Sequence, residues 1–180
     1  MADYRRSRIT GGTYFFTVVA HERRPVLTTE AVQTALREAI QQARTTLPFQ
    51  IDAWVLLPDH LHCVWTLPEG DANFSARWAI IKRRVSRVCA AETNTSRSDL
   101  EHKRNERAFW QRRFWEHQIR DDADMARHVD YVHWNPVKHG MVKAVKDWPY
   151  SSFHKYVSQG VYPSDWGGSE IVDVEDNFGE

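Results

Sequence analysis

Hydrophobic and polar positions change period several times along the chain, and each change marks an element. Residues 13–19, Thr-Tyr-Phe-Phe-Thr-Val-Val, are an aromatic and β-branched run and predict a buried strand. After Thr28-Thr29-Glu30 the apolar residues recur at three and four: Val32, Ala35, Leu36, Ala39, Ile40, Ala43. That spacing predicts an amphipathic helix to about Arg44, with a threonine N-cap and Leu47-Pro48 as its stop. Phe49–Leu57 and His60–Leu67 return to strand character, and the short Leu57-Pro58-Asp59 link makes them an antiparallel hairpin. Phe74 to about Ala91 is again helical, with Trp78, Ile81, Val85 and Val88 on one face and Lys82, Arg83, Arg84 and Arg87 on the rest. Residues 93–108 are polar and without period, so a loop or insertion is expected. Phe109–Ile119 interleaves aromatics with arginines, as a fourth strand or a base-stacking surface does. As a strand it sets Phe114, Glu116 and Gln118 on one face. Asp121-Asp122 opens a third long helix, which Pro136 is expected to stop after Asn135. A short last helix is expected to end near Ser158. The order β-α-β-β-α-β is the ferredoxin-like split βαβ pattern: an α+β fold with one antiparallel sheet, helices mainly on one face, and C-terminal helices added.

Composition narrows the class. At 180 residues one domain is expected, with residues 1–163 as its body and 164–180 as a tail. The formal net charge is zero, but its distribution is uneven. Residues 82–113 hold ten Lys/Arg against four Asp/Glu, and residues 164–180 hold six Asp/Glu with no Lys or Arg. A basic middle and the N-terminal arm with Arg5, Arg6 and Arg8 beside Tyr4 suit phosphate contacts, though a solvated helix and a frayed terminus have the same composition. Two cysteines fit reduced thiols in a cytoplasm. No apolar run is long enough to span a membrane, and no signal-peptide segment is seen.

The chemistry gathers at two places. His60 and His62 are two apart on a strand, so their side chains project from one face while Leu61 faces the other way into packing. Neutral imidazoles held side by side supply part of a divalent-metal site, and the same pair also suits hydrogen-bonded histidines at a sheet surface. On the late helix Arg127, Tyr131 and Asn135 are spaced at four and share one stripe.

Pro58-Asp-His-Leu-His62 with His128-Val-Asp-Tyr131-Val-His-Trp-Asn135-Pro-Val-Lys-His139-Gly resembles the single-tyrosine transposases of the HUH superfamily, most closely the REP-associated tyrosine transposases. The blocks at Tyr4-Arg-Arg, Gly11–Val18, Trp54–Cys63, Phe114–His117 and Asp147–His154 resemble that family too, so the likeness covers nearly the whole chain. It implies a bacterial, cytoplasmic, metal-dependent endonuclease and strand transferase for single-stranded DNA, directed to REP hairpins. Tyr131 is the implied nucleophile, forming a 5′-phosphotyrosine link. A phenol ionises near pH ~10, so it needs help to attack a phosphate. The implied ligands of Mg²⁺ or Mn²⁺ are His60, His62 and Asn135, and a bound cation stabilises charge on the transferring phosphate. DNA contacts are expected from Arg5, Arg6, Arg8, Lys82, Arg83, Arg84 and Arg87. Glu116 is a candidate to orient a ligand and His117 to support one, while His128, His133 and His139 are expected as surface groups or phosphate contacts. The acidic tail is expected to compete with DNA for the basic groove. A REP-hairpin binder that no longer cuts is the alternative, and both monomer and homodimer suit the sequence.

Overall fold

A computed structural model describes residues 9–89 and 109–167. The arm with Arg5, Arg6 and Arg8, the 93–108 insertion and residues 168–180 of the acidic tail lie outside the described residues. The elements run β1 (Thr13–Val19), α1 (Glu30–Thr46), β2 (Gln50–Leu56), β3 (His60–Thr66), α2 (Phe74–Val88), β4 (Trp115–Gln118), α3 (Asp122–Lys138) and α4 (Phe153–Ser158). Two single 3₁₀ turns lie at His21–Arg23 and Val145–Asp147. The sheet order is β2-β3-β1-β4 with every pairing antiparallel, the ferredoxin-like arrangement. Among the described residues, no helix is long and apolar enough to cross a membrane.

Strand alternation sorts the side chains between two cores. Phe16, Leu61, Cys63 and Trp65 face α1 and α2, whose stripes at Val32, Ala35, Leu36, Ala39 and Phe74, Trp78, Ile81, Val85 complete the larger cluster. Trp65 stacks on Trp78 at 4.2 Å between ring centroids, and Phe49 lies 4.2 Å from Trp65. A buried Arg77 locks the start of α2: its guanidinium donates to Asp71 Oδ2 at 2.7 Å, Pro48 O at 2.6 Å and Asn73 O at 3.0 Å. The other face holds Phe15, Ala53, Val55 and Val64 under α3, with Val129, Tyr131 and Val132.

The strand expected over Phe109–Ile119 shortens to four paired residues, preceded by an isolated bridge from Trp110 to Ala20. Pro136 does not stop α3, which runs on to Lys138. Proline forfeits its N–H bond to the carbonyl four residues back, and the residues after it close the turn with their own amides. The N–H of His139 reaches Asn135 O at 3.0 Å and that of Met141 reaches Pro136 O at 2.9 Å. Beyond α3 the chain returns to the edge of β2. Leu56 N donates to Tyr150 O at 2.9 Å and Ser152 N to Trp54 O at 2.8 Å, which gives a strand-like clamp on the upper half of that edge.

Candidate active site

The centre of the second face is made by β1, β3, β4 and α3. In the register, Thr17 opposes His62, Phe15 opposes both Val64 and His117, and Val19 opposes His60. Facing partners in an antiparallel ladder project to the same side. His60, His62, Thr17, Phe15 and His117 therefore share the α3 face, while Leu61 packs into the other core. His60 is 2 % exposed and His62 is fully buried. Their ring centroids are 4.9 Å apart with the planes nearly perpendicular.

Each imidazole has its Nδ1 occupied. His60 Nδ1 lies 2.6 Å from Asp59 Oδ1, and the carboxylate's other oxygen accepts from Arg23 at 3.0 Å. Burial works to raise the Asp59 pKa, but the His60 and Arg23 contacts outweigh it and hold the carboxyl at about 2. His62 Nδ1 lies 2.9 Å from Thr17 Oγ1. Such partners fix ring orientation and tautomer. His60 Nε2 is buried with no hydrogen bond among the described residues, a cost that a cation in front of it would remove. Asn135, fully buried, is one helical turn beyond Tyr131 on α3. Two imidazole nitrogens and an amide oxygen form a donor set that suits a divalent cation.

Tyr131 meets the His62 side of this pair. Its ring is 1 % exposed and its centroid is 5.3 Å from that of His62. Phe15 stacks on His62 at 5.4 Å and meets Tyr131 edge-on at 5.9 Å, so one aromatic wedge spaces the tyrosine and the histidine. Lys138 reaches back along the helix and puts Nζ 3.3 Å from Tyr131 Oη. The structure thus brings together His60, His62 and Tyr131, on elements about seventy residues apart in sequence.

A second cluster flanks them. His117, Asp124 and His128 present ligand atoms all within 4.8 Å of one another, a geometry that admits a metal ion. Asp124 is already taken: His117 Nε2 lies 2.9 Å from its Oδ2, Arg120 donates to the same oxygen at 3.1 Å and Arg127 to Oδ1 at 3.2 Å. Burial opposes ionisation, yet the His117 and Arg120 bonds hold this carboxyl well below the usual carboxylate range. With two guanidiniums on one carboxylate the local field repels a cation, so we read the group as an ionic clasp that ties α3 to β4.

Several expectations change. His128 and His133 are not at the surface. His128 is buried, donates Nδ1–H to Asp124 O at 2.8 Å, and is lowered to about 4, first by desolvation. His133 is buried against Ser152 Oγ at 2.8 Å and lowered to about 3 by desolvation. His139 is only half-buried, but its ring sits 5.1 Å from that of His60. Glu116 opposes Phe16 and so faces the other core, away from the histidine pair. The Lys82–Arg87 face belongs to α2, across the sheet from Tyr131. Lys82 Nζ donates to Gln111 O at 2.5 Å and Arg84 pairs with Glu38 at 3.8 Å, whereas Arg83 and Arg87 are exposed. Sequence reasoning passed over Thr17 and Lys138, and it named His139 without tying it to His60. The signals for the last two were present, since His139 continues the Tyr131–Asn135 stripe and Lys138 is two turns after Tyr131.

The family model described as "Transposase IS200 like" matches residues 9–135. A REP-associated tyrosine transposase of Escherichia coli is 49% identical over 168 residues, covering 93% of this chain and 92% of that protein. A putative REP-associated tyrosine transposase of Haemophilus influenzae is 46% identical over 97% of this chain and 98% of its own length. A solved REP-associated tyrosine transposase bound to a REP hairpin superposes with a TM-score of 0.81 at 47% identity, covering 100% of this chain and 98% of that one. Identity of this extent over nearly the full length, on a sheet that seats a helix-borne tyrosine against paired histidines, means that the chain belongs to the IS200-like transposases and within them to the REP-associated tyrosine transposases, enzymes that cut and rejoin DNA by transesterification.

Proposed function

We propose that this chain is a metal-dependent endonuclease and strand transferase of the bacterial cytoplasm, acting on single-stranded DNA at REP hairpins through a 5′-phosphotyrosine intermediate. The observation that carries the reading is the contact between Tyr131 and the His62 ring, 5.3 Å between centroids, with His60 beside it. Tyr131 Oη attacks a backbone phosphate in line with the departing 3′ oxygen. The P–O3′ bond breaks, the phosphorus is joined to the phenol, and the phenolic proton is replaced by one on the new 3′ hydroxyl. The phosphodiester is exchanged rather than hydrolysed, so the link can be passed to another 3′ hydroxyl without ATP.

His60, His62 and Asn135 would hold Mg²⁺ or Mn²⁺, which when bound polarises the scissile phosphate and neutralises charge that builds on it. Asp59 and Thr17 hold the two rings, Phe15 spaces them from Tyr131, and the burial of Phe15, Thr17, His60 and His62 around the phenol excludes water that would otherwise compete as nucleophile. DNA contacts are assigned to Arg5, Arg6 and Arg8 and to the α2 face, where Arg83 and Arg87 are the exposed members of the Lys82, Arg83, Arg84, Arg87 set. Residues 1–163 form the catalytic body and 164–180 an acidic tail. The test is a denaturing gel of protein with a single-stranded REP hairpin, with and without Mn²⁺. A metal-dependent covalent band is expected, and Tyr131→Phe loses it while still retaining the hairpin in a native gel. Absence of the band from the unaltered protein, with hairpin binding intact, makes it a binder instead.

A further inference from the structure

We propose that Lys138 is a catalytic residue: its ammonium group carries the negative charge that develops on Tyr131 Oη during both cutting and rejoining. The proposal rests on Tyr131 being the nucleophile. Lys138 is seven residues, or two turns, beyond Tyr131, so both lie on one face of α3. That placement exists only because the helix passes through Pro136. A helix ending at Asn135 would release Lys138 from the stripe.

Lys138 Nζ stands 3.3 Å from Oη and 4.9 Å from the centre of the Tyr131 ring. It therefore covers the phenol from the side and touches the reacting atom. Tyr131 is buried and Lys138 is half-buried, so little solvent screens the pair. At 3.3 Å the bond to a neutral phenol is long. A charge-assisted bond between ammonium and oxyanion contracts to about 2.7–2.9 Å and is roughly twice as strong. The contact thus gains strength as charge develops, which is the condition for lowering a barrier rather than tightening ground-state binding.

The balance is the same in both directions. In cutting, the P–Oη bond forms and the P–O3′ bond breaks; the phenolic proton leaves and an equal proton ends on the 3′ oxygen. In rejoining, a 3′ hydroxyl attacks the phosphotyrosine, the P–Oη bond breaks, and the phenolate departs against Lys138. The lysine stays protonated throughout and transfers nothing.

The experiment compares the full-length protein with Lys138→Met, Lys138→Arg and Tyr131→Phe on a single-stranded REP hairpin with Mn²⁺. It reads single-turnover covalent-adduct formation, rejoining to an added 3′ hydroxyl strand, and hairpin affinity. Lys138→Met is expected to slow both steps by about 10²-fold, the range of one lost oxyanion donor, with hairpin affinity unchanged. Lys138→Arg recovers part of the loss because the charge is kept. A second measurement installs difluorotyrosine at position 131, a phenol that bears negative charge more readily. It should restore much of the rate in the Lys138→Met background and change the Lys138 protein little. Wild-type rates in Lys138→Met, in a protein that forms the Tyr131 adduct, overturn this proposal alone. Equal losses in the Met and Arg variants without recovery by the fluorinated tyrosine also overturn it, because they leave only a packing role. An unaltered protein that forms no adduct, or a Tyr131→Phe protein that still does, overturns the nucleophile reading and this proposal with it.

Discussion

Thr17→Val tests whether the histidine pair is held ready for a ligand. Thr17 is 1 % exposed, His62 is fully buried, and Thr17 Oγ1 lies 2.9 Å from His62 Nδ1. Valine keeps the branched shape and the strand preference and replaces the hydroxyl with a methyl group. A buried ring nitrogen left unpaired costs about 1–3 kcal/mol. Taking about 2 kcal/mol, and about 2–4 °C per kcal/mol for a chain of this size, the melting temperature should fall by about 6 °C. The larger effect should appear in metal dependence, because His62 then samples other orientations and the other tautomer. Removing such an orienting partner weakens metal binding by about 10–100-fold. The assay titrates Mn²⁺ against the rate of adduct formation below the new melting range. A half-saturating concentration raised at least tenfold, with unchanged hairpin affinity and a near-normal rate at saturating Mn²⁺, is expected. An unchanged titration curve in a folded Thr17→Val protein refutes the reasoning, as His62 would then not depend on Thr17 to present Nε2.

Two more predictions concern the scaffold. His128 is held near 4, against about 6.5 in an unfolded chain. Between those values the unfolded state binds more protons, so stability is complete above pH 6.5 and falls as the pH drops toward 4. From pH 7 to pH 5 the loss is about 2 kcal/mol at 1.36 kcal/mol per unit, and His128→Gln should flatten that stretch of the denaturant-midpoint curve; an unchanged slope counts against it. The further loss from Asp124 begins only as the pH falls into the ordinary carboxylate range and continues below it. Arg77→Met strips donors from the buried Pro48 and Asn73 carbonyls and from Asp71, and should cost about 2–3 kcal/mol, a fall of roughly 5–10 °C in melting temperature. Adduct formation at 20 °C or so should survive it, since α2 lies across the sheet from Tyr131; a melting curve that does not move sinks the assignment of Arg77 as the lock on α2.

Periodicity made most of the fold legible, because each helix and strand buries one face of its own sequence. The His60–Leu61–His62 alternation and the Tyr131–Asn135 spacing were readable for the same reason: both are set within one element. What could not be read depends on partners distant in sequence. His62 is held by Thr17, forty-five residues earlier, and nothing local marks that threonine. Asp124 draws His117, Arg120 and Arg127 onto one carboxylate, a convergence that fixes His128 inside rather than outside. Pro136 misled for a different reason. Proline removes only its own N–H donor, and the amides of His139 and Met141 still close the turn behind it. The Lys82–Arg87 run showed its charge but not its side of the sheet, which only the packing of Trp78, Ile81 and Val85 decides.

The clamp of Tyr150–Ser152 along β2 has a consequence for self-association. A strand on the outside of a sheet offers its free amides and carbonyls to any passing chain. Here the polypeptide spends its own later residues on half of that border, at Leu56 and Trp54. The opposite border, β4, is four residues long. Two copies seeking to merge their sheets would find one margin obstructed and the other too brief to zip far, so growth of the sheet from molecule to molecule is blunted at both ends.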